Sequence, residues 1–169
     1  MKQIKTLLFA AALFIGATSF TNAQTKLAHV DTQKLVASMP AMKAAQSEME
    51  KMGKTFEADI QEMLKEYQSK AKLYEGEAAT KTNEQNQSRG EELQGMQQSI
   101  RQFQADAQTQ LQKKEFDLLK PITDKAKAAI LKVGAAQGFN YVLDSSEGSG
   151  VIMAAGKDLM SDVQKELGF

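Results

Sequence analysis

Apolar residues return in steps of three and four along Met42, Ala45, Met49, Met52, Phe56, Ile60, Met63, Tyr67, Ala71, Tyr74 and Ala78. The pattern resumes along Leu93, Met96, Ile100, Phe103, Ala107, Leu111, Leu118, Ile122, Ala126, Ile130 and Val133. That spacing keeps one stripe on one side of an α-helix. Between the stripe positions stand mostly Gln, Lys, Glu and Ala, which favour helix. The spacing therefore predicts two long amphipathic helices within residues 41–137. The two stripes also fit one another. Tyr67 with Leu93, Leu64 with Met96, Ile60 with Ile100, Met49 with Leu111 and Met42 with Leu118 satisfy a single antiparallel register. Phe56 with Phe103 and Met52 with Ala107 miss it by one residue. The midpoint is Thr80, inside the run from Gly76 to Asn83, where turn-favouring residues gather. The prediction is a helical hairpin whose first helix reaches roughly 50 Å at 1.5 Å per residue. Pro121, inside the returning helix, predicts a kink near its base.

A hairpin of this length has one seam and two wet faces, so it must project from a body. The two ends of the chain supply one. Leu27-Ala28-His29-Val30 reads as a short strand, followed by Asp31 as the N-cap of a helix over residues 32–38. Pro40 suits the first turn of the next helix. Beyond it, Gly138 ends the long returning helix. Phe139–Asp144 reads as a strand, residues 145–150 as a turn, and Val151–Ala155 as a second strand, together a β-hairpin. Asp158 caps a final helix over residues 159–167. The fold class is thus α+β, mostly α: an arm over 41–137 with its tip near 76–83, on a body from 24–40 and 138–169. A sheet this small buries little surface by itself, and oligomerisation is the simplest remedy.

The first residues change the setting. Lys2 and Lys5 precede an apolar run from Leu7 to Ala17, then Thr21-Asn22-Ala23. This is the layout of a signal peptide cleaved between Ala23 and Gln24. The apolar run falls short of the roughly 20 residues needed to span a bilayer, so the expected product is exported and not stably inserted in a membrane. The sequence has no Cys, so disulfides do not hold it. Basic and acidic residues number 21 each, and processing removes two lysines, leaving about −2. Nucleic-acid binding usually demands a basic face, so nucleic acid is not an expected partner.

Catalytic chemistry is sparse. A single His, His29, stands in the first predicted strand, and no phosphate-binding loop or nucleophile elbow is present. With no Cys and one His, a metal site built on those ligands is not expected, nor is any cofactor. Acidic pairs such as Glu91-Glu92 fall on predicted helix surfaces. The protein is expected not to be an enzyme.

Residues 26–36, the proline-initiated helix opening Met42-Lys43-Ala44-Ala45-Gln46, and the segments Gly138–Asp144 and Asp158–Val163 together resemble the Skp/OmpH family of envelope chaperones. The likeness covers the mature chain, most specifically at its two ends. The resemblance implies a periplasmic homotrimer. Strands of three subunits would form a β body, and three helical arms would enclose a cavity that holds unfolded outer-membrane proteins without nucleotide. Leu27, Val30, Leu35, Phe139, Tyr141, Leu143, Val151 and Ile152 are the corresponding candidates for the trimer body. The best-studied members of the family are strongly basic, whereas this chain is slightly acidic once processed. Electrostatic capture and lipopolysaccharide contact are therefore not carried over, and Lys81 and Arg89 read as isolated charges at a solvated tip.

Met is flexible and polarizable, which suits adaptable apolar contact. Most arm methionines should nevertheless fill the seam. Leu64 and Leu73 flank it, and with Met63, Tyr74 and Met96 they form the candidate client-binding set. Beyond Tyr67 and Leu93 the register sets Ala71 against Arg89 and Tyr74 against Asn86. Gly76, Gly90 and Gly95 add weak points, so the outer third is expected to bend or fray. A periplasmic coiled-coil adaptor that binds a folded envelope partner is the competing reading.

Overall fold

The computed structural model describes residues 25–169. The expected signal segment and its cleavage point, Ala23 and Gln24, lie outside these residues. The chain opens with strand β1, Leu27–Val30. Helix α1, Thr32–Ser38, follows after Asp31, whose carboxylate accepts the Lys34 amide at 2.9 Å. Helix α2, Pro40–Glu77, then starts on its proline as expected.

The arm has the predicted form. Helix α2 runs for 38 residues, a 3-10 turn occupies Ala78–Thr80, and helix α3 returns over Asn83–Ala136 for 54 residues. At 1.5 Å per residue these lengths are about 57 and 81 Å. The predicted midpoint, Thr80, lies in the turn. A capping box starts α3: the Thr82 hydroxyl accepts the Gln85 amide, and the Gln85 side chain accepts the Thr82 amide. Helix α3 continues through Pro121.

Gly138, at φ 71°, ends α3 in a left-handed turn. Its amide donates to Ala135 O, and the Phe139 amide donates to Gly134 O. This is the Schellman arrangement, which satisfies carbonyls at a helix end. The chain then enters strand β2, Tyr141–Asp144.

The sheet differs from the expected hairpin. Its order is β2-β1-β3, and the third strand is Lys157–Asp158, not Val151–Ala155. Both outer strands run parallel to β1, with Leu27 opposite Tyr141 and His29 opposite Asp158. The reason is reach. A hairpin partner of β2 would occupy its free edge, three strand spacings or about 14 Å from β3. The two Cα steps from Ala155 to Lys157 extend at most about 7.5 Å. Pairing of Lys157 with Ala28 therefore excludes that hairpin within one chain. Helix α4, Met160–Leu167, has Leu159 and not the expected Asp158 at its N-cap; the Asp158 carboxylate, one position further out, accepts the Met160 amide at 2.8 Å.

One face of the sheet is covered. Ala28 and Val30 turn inward and meet Leu35, Met39, Ala45, Ile122, Ala126, Ala129, Val133, Leu159 and Val163 in one core. The base of α3 is therefore a wall of the body. Gly134 is needed there, because a Cβ would lie 2.8 Å from Val142 Cγ2. Asp144 ties the end of β2 to the start of α1. Its carboxylate accepts the Thr32 hydroxyl at 2.6 Å and the Thr32 and Ser146 amides. Burial pushes this carboxyl up, but the bonds from Thr32 and Ser146 outweigh it and hold it below the usual range.

Candidate functional site

Along most of the arm the two stripes meet. Phe56 and Phe103 pack edge to face with ring centroids 6.0 Å apart, a favourable geometry. Ile100 and Ala107 are buried, whereas Met42, Met49, Met52, Met63 and Met96 are half-buried. Two helices alone leave a seam open along its sides. Of the candidate client-binding residues, Leu73 is the most exposed, at 52%. Leu64, Met63 and Met96 are half-buried. Met63 and Phe103 line a shallow groove with Gln98, Ser99, Gln102 and Asp106.

Near the tip the apolar seam gives way to a polar clasp. Lys70 on α2 donates to Glu92 on α3 at 2.6 Å, and the Tyr74 hydroxyl donates to the same carboxylate. Arg89 lies over the Tyr74 ring, 4.5 Å from its centroid, and pairs with Glu77. Lys81 approaches Glu77 at 3.9 Å. The expectation of isolated charges at Lys81 and Arg89 is therefore corrected. Tyr74 faces Arg89 rather than Asn86, whose side chain instead donates to Ala78 O across the turn. Long side chains let residues off the ideal register meet, which an alignment of apolar stripes does not include. The Arg89 bond holds the Glu77 carboxyl below its usual range, and the Lys70 and Tyr74 bonds do the same for Glu92. Arg89 Nη1 is buried without a hydrogen-bond partner among the described residues, a cost offset in part by the ring beneath it.

On the body, the outer face of the sheet is bare. Leu27, Tyr141 and Leu143 are all exposed there, around a half-buried His29 whose Nδ1 is 3.1 Å from Ser145 Oγ. Beside the free edge of β2 lies an apolar groove of about 560 Å³, lined on its α3 side by Ala126, Ile130 and Leu131 and at its end by Phe139. Val151 is half-buried, whereas Ile152 is fully exposed and Met153 nearly so. The expected body residues thus divide. Val30 and Leu35 form the chain's own core and Phe139 packs against it, while Leu27, Tyr141, Leu143 and Ile152 face outward. Further along α3, Phe116 and Leu119 flank a second shallow groove, with Phe116 well exposed. The groove residues Ile130, Leu131, Phe116 and Leu119 were not singled out from sequence. The available signal was that Leu131, Phe116 and Leu119 are apolar yet fall off the seam stripe.

Among the described residues no cluster of His, Cys, Asp and Glu could hold a metal ion, and no helix is long and apolar enough to cross a membrane.

No curated protein matches the chain. Its fold is similar to that of a crystal structure from Caulobacter crescentus CB15 described as OmpH-like. The TM-score is 0.77 at 17% identity, covering 86% of this chain and 85% of that one. The family pattern described as outer membrane protein (OmpH-like) matches residues 26–167. With a long two-helix arm, a small sheet built from both chain ends and this match over nearly all of the described residues, the chain belongs to the OmpH-like family.

Proposed function

We propose that the protein is a periplasmic holdase chaperone that works without ATP. It keeps unfolded outer-membrane proteins soluble in a cavity between the arms of a homotrimer, after export and removal of residues 1–23. The observation that carries this reading is the arm itself. A two-helix hairpin this long encloses nothing alone, and its Met-rich seam stays half-exposed along its flanks. Such a surface offers broad, weak and adaptable apolar contact, which suits clients without fixed shape. Assembly is supported by the bare sheet face at Leu27, Tyr141 and Leu143, since exposed apolar patches of this kind mark interaction sites. The Caulobacter structure is described as an outer membrane chaperone, in keeping with this role.

The test is turbidity of an outer-membrane β-barrel diluted from urea. Stoichiometric protein should suppress aggregation with no nucleotide present. Aggregation that proceeds unchanged would refute the holdase reading. One observation favours a second reading, a coiled-coil adaptor for a folded envelope partner. The charge balance, 21 basic against 21 acidic residues before processing, gives no electrostatic help to promiscuous capture. An adaptor would bind one folded partner tightly and leave the barrel to aggregate.

A further inference from the structure

The chain has no Cys, so all of its sulfur is thioether. Its methionines stand in contrasting settings. Met39 is 2% exposed, inside the core of the body. Met63, beyond the midpoint of α2, is half-buried and forms one wall of an open groove whose other walls come from α3. A two-helix seam has no third helix to close this side, so the thioether keeps a path to solvent. The groove is apolar at Met63 and Phe103 and polar at Gln98, Ser99, Gln102 and Asp106. Ser99 brings a hydroxyl, and Gln98 and Gln102 bring carboxamides with two N–H donors each. Gln102 commits one of its donors to Asp106 at 2.9 Å, which engages the only anion among these six residues. The donors share the groove with a thioether, which accepts hydrogen bonds only weakly. A sulfoxide oxygen in the same place would accept them strongly.

We propose that Met63 is a modification site: a hydroperoxide converts it to the sulfoxide in the folded arm, which turns the groove from apolar to polar and lowers its hold on clients. The effect on clients rests on the holdase reading above; the modification itself does not. The sulfur lone pair attacks one peroxide oxygen, and the sulfur–oxygen bond forms as the oxygen–oxygen bond breaks. The departing hydroxide takes the proton of the transferred hydroxyl and leaves as water. Sulfur is thereby oxidised by one electron pair and the peroxide is reduced. No base or thiolate is required, only approach to the sulfur. Donors on Gln98, Ser99 and Gln102 then stabilise the new oxygen, so the helices persist and the Phe56–Phe103 contact stays in place. Methionine sulfoxide is reducible by dedicated reductases, one for each epimer, so the change is reversible. Met39 lacks this access, and its oxidation requires the body to open.

The mature chain is treated with hydrogen peroxide under native conditions, and oxidised residues are located by peptide mass. Met63 should gain one oxygen atom while Met39 gains none, and helical circular dichroism should be retained. Unfolded barrel retained after gel filtration should fall several-fold, and treatment with both reductases should restore it. Each variant is compared with its own untreated sample. Met63→Leu should lose most of the response to peroxide. Met63→Gln, polar without any oxidant, should hold the barrel as weakly as the oxidised wild type. Oxidation of Met39 in step with Met63, or loss of helix as Met63 is oxidised, would overturn the site. Retention unchanged with Met63 fully oxidised, or an equal fall in Met63→Leu, would overturn the effect on clients and leave the holdase standing. A chain that fails to hold the barrel before peroxide is added would refute the holdase reading and that effect together, while peptide mass still decides the modification.

Discussion

Glycines in this chain stand in opposite environments, and substitution should separate them. At Gly134 a methyl group would meet Val142 Cγ2 at 2.8 Å, and a β-branched side chain has little freedom to yield. Gly134→Ala should cost about 1 kcal/mol net, with overpacking exceeding the gain in helix propensity. Val142→Ala should cost less in that background than alone, so urea denaturation of the double-mutant cycle would show coupling. Gly53, Gly90 and Gly95 have open space where a Cβ would stand. Alanine at any of them should stabilise its helix by up to about 1 kcal/mol. On the arm flank, Leu73→Ser should weaken client retention a few-fold and leave helicity unchanged, measured as barrel bound after gel filtration. The caps at Asp31 and Gly138 were legible in sequence, because each acts on a neighbouring amide or on its own φ. The need for glycine at residue 134 was not, since it depends on where β2 returns.

The arm elements were legible almost to the residue. A 3.6-residue repeat sustained along two helices leaves few alternative registers, and Phe56 meets Phe103 as its stripe position requires. The expected β-hairpin failed for a different reason. Val151–Ala155 has strand-like composition, but pairing depends on Lys157 being held by β1, a non-local constraint. The tip contacts were missed because apolar periodicity says nothing of ion pairs. These contacts change the expectation for the outer arm. Where apolar packing thins, Glu77 and Glu92 hold the helices through Arg89, Lys70 and Tyr74. Both carboxyls titrate below their ordinary range. Their contribution is therefore complete at neutral pH and is lost as pH falls through the lowered folded values. Exposed ion pairs also weaken with salt. Amides from Lys70 to Gly90 should exchange faster than those near Phe103, and added salt should widen the difference. Arg89→Gln should abolish most of that salt response. Protection equal to that near Phe103 and insensitive to salt would contradict an ionic clasp.

At the scale of the molecule, body and arm share a design problem. A single chain with a one-sided sheet and a two-helix arm leaves apolar surface uncovered at both places. The sequence exposes this shortage through the small β content of its two ends, but not which surfaces remain open. Leu27, Tyr141 and Leu143 look like ordinary strand residues until β1 and β2 are aligned and their outer face is found bare. Copies joined at the body would cover that surface and bring the arms side by side. The half-exposed seams would then face a common space. Client binding would depend on apolar contact more than on charge, so moderate salt should change capture little even as it loosens the tips.

The most direct measurement is the light-scattering mass of the mature chain, alone and after dilution of a urea-unfolded outer-membrane barrel into it. A trimeric holdase should give the mass of three chains, rising by that of one barrel in a complex that stays soluble. A single chain, or a trimer whose mass is unchanged while the barrel aggregates, would contradict it.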